Sequence, residues 1–172
     1  MAQPVEFADP FNAYSGTSGG ASDAAERISW MRYRIVQGFT ASAIGSERLT
    51  EPLRVVAEIF QRCRLANWDH EGAEPISSEA LTEAQALLLS IPSYMPLPEI
   101  FPEATGAIAF EWYRKPGYRY VITVSGKGTL EYAGLFGSGN DTSGESRLDG
   151  GFPKMIREHL RWLFPGDQIH AV

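Results

Sequence analysis

Residues 106–136, GAIAFEWYRKPGYRYVITVSGKGTLEYAGLF, hold three runs in which apolar and polar side chains alternate, interrupted at KPG and GKG. Alternation of period two is the mark of a half-buried strand. Ile108, Phe110 and Trp112 take one face of the first run, and Ala107, Ala109, Glu111 and Tyr113 take the other. In the second, Tyr118, Tyr120, Ile122 and Val124 oppose Arg119, Val121, Thr123 and Ser125, and Leu130 and Tyr132 continue the pattern in the third. The interruptions are too short for crossovers, so the runs must pair as an antiparallel meander. Glu111 and Arg119 then fall where they can meet across neighbouring strands.

Helical periodicity flanks this block. TEPLRVVAEIFQRCRLA, from Thr50, places Leu53, Val56, Ala57, Phe60 and Cys63 at helical intervals, with Thr50 as N-cap, Pro52 in the first turn and Glu58 facing Arg62. A second helix is expected over residues 78–90, capped by Ser77 or Ser78, with Ala80, Ala84, Leu87, Leu88 and Ile91 as its apolar stripe and Pro92 as its stop. A third opens at Pro153 and presents Ile156, Leu160, Leu163 and Phe164. Between the second helix and the strands, SYMPLPEIFPEATG carries Pro96, Pro98 and Pro102 and reads as an extended connector. GSGNDTSGESRLDGG, residues 137–151, reads as a mobile loop, with Asn140, Asp141, Glu145 and Asp149 as its cation-binding groups if it has any.

The N-terminal part is less patterned. Residues 1–26, rich in Gly, Ser and Ala, read as a flexible arm. In residues 27–49, Ile28, Met31 and Ile35 have helical spacing while Met31, Tyr33 and Ile35 alternate with Arg32 and Arg34; the expectation is a strand. These signals together predict an α+β fold in one domain over residues 27–172: two amphipathic helices and a C-terminal helix packed on a three- to four-stranded antiparallel sheet. The uncovered sheet face, with Tyr113 and Val121, is a candidate dimer or partner surface.

The two leading helices are joined by NWDHEGAEPI, residues 67–76. Each residue type there has a structural use. Asn67 tolerates the left-handed conformation at a helix end, Asp69 can return its carboxylate to nearby backbone N–H groups, and Gly72 accepts positive φ. Pro75 sets an extended approach to the next helix, and Trp68 can wedge the connection against the core. Trp112 belongs to the same structural set as the buried anchor of the first strand. A catalytic alternative needs Asp69, His70 and Glu111 to converge as a hydrolytic or metal-dependent centre. Metal ligation finds little support, because His70, His159 and His170 show no ligand spacing and Cys63 is the lone cysteine. Cys63 itself reads as a small buried hydrophobe. With neither Walker nor EF-hand spacing, no cofactor is expected.

Charge adds a direction. From Leu65 through Tyr113 there is no Lys or Arg, while Asp69, Glu71, Glu74, Glu79, Glu83, Glu99, Glu103 and Glu111 supply eight of the chain's 21 acidic residues. Such a block argues against direct nucleic-acid binding, which requires clustered cations. It suits a basic protein surface, with Glu71, Glu74, Glu79 and Glu83 as the expected contacts. No apolar run approaches the roughly 18–20 residues of a membrane span, and Met1–Pro10 lacks the pattern of a secretory signal, so a cytoplasmic protein with no membrane partner is expected.

NWDHEGAEPIS, followed by a helix, a proline-rich connector and GAIAFEW, resembles a family of small bacterial proteins often associated with mobile elements. Its hallmark is an Asn-Trp-Asp, Gly-Ala, Pro-Ile segment ahead of a Gly and Glu-Trp strand. The resemblance covers roughly residues 53–132, and the position of His70 is usually glycine in that pattern. It implies the same fold and carries no reaction. The functional expectation is a non-catalytic protein-binding or regulatory accessory protein, in its narrowest form an anti-defence factor of a mobile element, acting through an acidic surface.

Overall fold

The structure, a computed structural model, describes residues 47–148 and 151–165. In chain order they form α1 (Glu47–Cys63), α2 (Ser78–Ser90), β1 (Glu99–Pro102), β2 (Ile108–Lys115), β3 (Tyr118–Val124), β4 (Leu130–Phe136), β5 (Asp141–Ser146) and α3 (Lys154–Leu163). The arm expected over residues 1–26, the strand expected over 27–46, Asp149 and His170 lie outside the described residues.

The five strands follow one another in space as in sequence, β1-β2-β3-β4-β5, and each neighbouring pair is antiparallel. The three central strands match the alternating runs, but the sheet has two more members than those runs supply. β1 arises inside the proline-rich connector. Pro98 precedes it and Pro102 closes it, which suits a sheet edge because only one side of an edge strand must offer N–H groups to a neighbour. β5 arises inside the loop expected to be mobile, so that expectation is corrected: DTSGES pairs along its full length with β4, Leu135 opposite Asp141 and Leu130 opposite Ser146. These residues have low strand propensity of their own, and the ladder offered by β4 overrides it.

One sheet face is covered. α1 packs on α2 and β1, α2 on β2 and β3, and α3 on β3 and β4. Phe110, Trp112, Tyr120, Ile122, Val124 and Leu130 point into this layer and are at most 1% exposed. They join Val56, Ala80, Leu87, Leu88, Ile156 and Leu160 in one buried cluster. Each large side chain so buried contributes about 1.5–3 kcal/mol. The Trp112 indole also donates to the Pro96 carbonyl at 2.8 Å, tying the proline-rich segment to the sheet. Among the described residues no helix is long and apolar enough to cross a membrane.

α1 differs from its expected form. It begins at Glu47, so residues 47–49 are helical rather than extended, and Thr50 and Pro52 lie within the helix. The extra turn recruits Leu49, and the buried stripe becomes Leu49, Pro52, Val56, Ile59 and Cys63, leaving Ala57 exposed. Adjacent Ile59 and Phe60 made two stripes compatible with the pattern; the added turn selects the one through Ile59. Glu58 pairs with Arg54, which Glu51 also holds at 2.5 Å, rather than with Arg62. At the other end of the fold, a bulge between Tyr113 and Lys115 frees Arg114 from the ladder. Its guanidinium donates to the Leu163 carbonyl at 3.1 Å, placing a cation at the negative end of α3.

Candidate functional site

The NWDHEGAEPI corner is a closed hydrogen-bonded unit. Asn67 has φ 61° and His70 φ 66°. The Asn67 side-chain oxygen accepts from Gly72 N–H at 2.8 Å, its own N–H donates to the Ala73 carbonyl at 2.7 Å, and His70 N–H donates back to the Asn67 carbonyl at 3.1 Å. Asp69 Oδ1 accepts from Glu71 N–H at 2.8 Å and Ala73 N–H at 3.0 Å. The Ala73 and Glu71 amides favour the ionised form, so they hold the Asp69 carboxyl below its ordinary range. The half-buried indole of Trp68 packs against the core cluster and donates through Nε1 to the Glu74 carbonyl at 2.9 Å. Ile76 N–H reaches the Cys63 carbonyl at 2.9 Å, which closes the corner onto the end of α1.

The corner is also joined to the sheet. Glu74 N–H donates to the Ala104 carbonyl at 2.8 Å, and a Cβ on Gly106 would lie 2.8 Å from the Pro75 carbonyl oxygen, so glycine is required for this approach. The polar atoms of Asn67, Trp68 and Asp69 therefore serve the backbone. Glu111 lies on β2 and forms an ion pair with Arg119 at 2.6 Å. Among the described residues no three His, Cys, Asp or Glu side chains are gathered so as to hold a metal ion. Cys63 is buried, and desolvation raises its thiol pKa.

Glu83 differs from its expected role. It is 4% exposed on the inner face of α2, and its carboxylate accepts from Gly126 N–H at 2.7 Å and from Gly128 N–H. It belongs to the interior, not to an acidic surface. Glu71, Glu74 and Glu79 are exposed. The sequence concealed this difference because Glu79 and Glu83 occupy adjacent turns of one helix, and only packing of the β3–β4 turn onto α2 separates them.

A second polar pair lies within the core. Tyr120 Oη and His159 Nδ1 are 3.0 Å apart, with the rings of Tyr132, Phe136 and Trp162 around the imidazole. Burial raises the Tyr120 pKa and lowers that of His159, so both are neutral near pH 7. Tyr120 is fully buried and cannot reach a substrate, so the pair acts as a core hydrogen bond.

The sheet face that none of the described helices covers is different in kind. Alternation along the strands and the observed register bring together Glu99 and Phe101 from β1, Glu111 and Tyr113 from β2, Arg119 and Val121 from β3, Glu131 and Leu135 from β4, and Asp141 and Glu145 from β5. Phe101, Tyr113 and Leu135 are 40%, 51% and 48% exposed. Among the described residues, Arg119 is the one cation in these rows; it pairs with Glu111 and lies over the Tyr113 ring, 5.8 Å from its centre. Glu103, beyond the end of β1, accepts from the Thr123 hydroxyl at 3.2 Å and carries the acidic character toward the corner. Sequence reasoning stopped at the lysine- and arginine-free block ending at Tyr113; the contribution of Glu131, Asp141 and Glu145 follows from the alternation of β4 and β5 once β5 is known to be a strand.

No family model, no curated protein and no solved structure matches the chain.

Proposed function

We propose that this protein is a non-catalytic binding module, a cytoplasmic accessory or regulatory protein, whose uncovered sheet face engages a basic surface on another protein. One observation supports the reading most directly: Glu99, Glu111, Glu131, Asp141 and Glu145 share a face with exposed Phe101, Tyr113 and Leu135 and, among the described residues, with Arg119 as the one cation in these rows. Apolar side chains supply area to bury, and the surrounding carboxylates select partner charge and accelerate encounter. Phosphate backbones would be repelled. A second copy docking through this face would bring the same carboxylates together, so a different, basic partner fits better. The expected contacts extend to exposed Glu71, Glu74 and Glu79. The mobile-element association implied by the NWDHEGAEPI resemblance makes an anti-defence role the narrower form of this proposal.

The test is co-purification from the native host at low salt. Wild type is compared with a face variant, Glu99→Lys, Glu131→Lys and Glu145→Lys, and with a control reversal on α1, Glu51→Lys and Glu58→Lys. A partner retained by wild type and control but lost by the face variant supports the reading. The same partners on all three proteins reject it.

A further inference from the structure

Resting on that reading, we propose a specific mode for it: the partner contributes an extended segment that adds as a sixth strand along β5, with Lys or Arg toward the acidic face and apolar residues toward α3. β5 is the last strand of the sheet, and among the described residues no strand lies beyond it. The opposite edge, β1, is bracketed by Pro98 and Pro102 and packed by α1. β5 contains neither proline nor lysine, the residues that commonly protect an edge.

The hydrogen-bond phase of this edge follows from its turn. Phe136 N–H donates to the Asn140 carbonyl at 2.8 Å, which makes those two a bonded pair. Bonded and non-bonded pairs alternate in an antiparallel ladder, so Thr142, Gly144 and Ser146 turn their N–H and C=O groups to β4, and Asp141, Ser143 and Glu145 turn theirs outward. The residues with free backbone groups are thus the ones whose side chains lie on the acidic face. An added strand bonded to Asp141 and Glu145 sets its own side chains beside both carboxylates, which lie four residues apart.

Two further features define the occupant. Glu131 stands directly opposite Glu145 in a non-bonded pair, where side chains approach most closely and like charges repel. A cation from a sixth strand relieves that repulsion. On the other side of β5 an aromatic ring and a thioether stand beside the strand: a Cβ on Gly144 would lie 2.7 Å from the Tyr132 hydroxyl and 3.0 Å from its ring, and that hydroxyl donates to Met155, which is 38% exposed. Basic and apolar residues in alternation match both sides at once. Self-pairing of β5 between two copies is opposed, because antiparallel alignment about Ser143 sets Asp141 of one copy against Glu145 of the other.

The experiment uses the full chain and two fluorescent peptides of equal composition, one alternating arginine with valine and one with the residues in blocks. Binding is read by anisotropy at low ionic strength. Wild type is expected to prefer the alternating peptide about tenfold, a difference of roughly 1.4 kcal/mol. Ser143→Pro removes an outward N–H while leaving the β4 ladder intact, and should erase the preference; Ser143→Ala should keep it. Amide exchange at Asp141, Ser143 and Glu145 should slow when the alternating peptide is bound, a readout that does not depend on the proline variant folding. Equal affinity for both peptides, or a preference that survives in folded Ser143→Pro, overturns strand addition while leaving the acidic-face reading intact. Failure of wild type to bind either peptide overturns both.

Discussion

Glu83 and Gly126 join a helix to a turn: the buried carboxylate on α2 accepts the Gly126 N–H at 2.7 Å and holds the β3–β4 connection against the start of that helix. The approach is close enough that a Cβ on Gly126 would lie 2.7 Å from Ala80 N and 2.9 Å from the Ser77 hydroxyl. Removing the carboxylate leaves the Gly126 and Gly128 N–H groups without this acceptor. Glu83→Ala is therefore expected to lower unfolding stability by about 2–3 kcal/mol. Glu83→Gln, which keeps one acceptor oxygen, should lose less. Urea midpoints at constant m-value measure both, and equal losses for the two variants would show that the carboxylate is not serving these amides.

The Trp68 indole has two separable functions, packing and donation to the Glu74 carbonyl. Trp68→Phe keeps most of the packing and should cost about 1 kcal/mol for the lost hydrogen bond. Trp68→Ala should cost more, about 2 kcal/mol, below the value for a fully buried tryptophan because half-burial limits the cavity. Equal stability of wild type and Trp68→Ala would remove the wedge role.

Asp69 predicts an acid-sensitive corner. Backbone N–H groups of Ala73 and Glu71 hold its folded-state carboxyl below the ordinary range, so the folded protein binds the proton less readily than the unfolded chain. The resulting stabilisation is complete above the unfolded pKa of about 3.9 and disappears as pH falls through the lower folded value. Asp69→Asn should accordingly flatten the acid limb of the stability profile. Urea melts across the range below about pH 5 test this, with a constant wild-type-to-variant difference as the disproving result.

His159 gives the second pH dependence. Burial holds its imidazole pKa below the ordinary value, so the unfolded chain takes up the proton first as the solution is acidified. Stability is complete above about pH 6.5 and declines as pH falls toward the folded value. Histidine resonances followed by NMR should show the His159 signal titrating below that of an unfolded reference peptide. A midpoint at or above the reference value would contradict the buried, neutral assignment.

Much of this architecture was legible in residues 106–136, because Ile108, Phe110, Trp112, Tyr120, Ile122 and Val124 repeat at period two and the turns between them are short. The 67–76 corner was legible for a different reason: Asn67, Asp69 and Gly72 each solve a local backbone problem, and local problems need no knowledge of the rest of the chain. What stayed hidden depends on partners distant in sequence. β5 has low propensity of its own and exists through β4; Glu83 looks like its exposed neighbour Glu79 until the glycine turn lands on it. The acidic face was half visible for the same reason, since Glu131 and Glu145 become neighbours only through strand pairing.

The sequential order of the five strands also sets how the molecule can be made. Each new strand emerging from the ribosome finds its hydrogen-bonding neighbour already synthesised, and every turn closes a short loop. The burden falls instead on α1 and α2, whose apolar stripes are complete before β1, which packs on α1, and the β2–β3 hairpin, which packs on α2, have been translated. During that interval the nascent chain presents Val56, Leu87 and Leu88 to the cell, so its most vulnerable moment precedes the sheet.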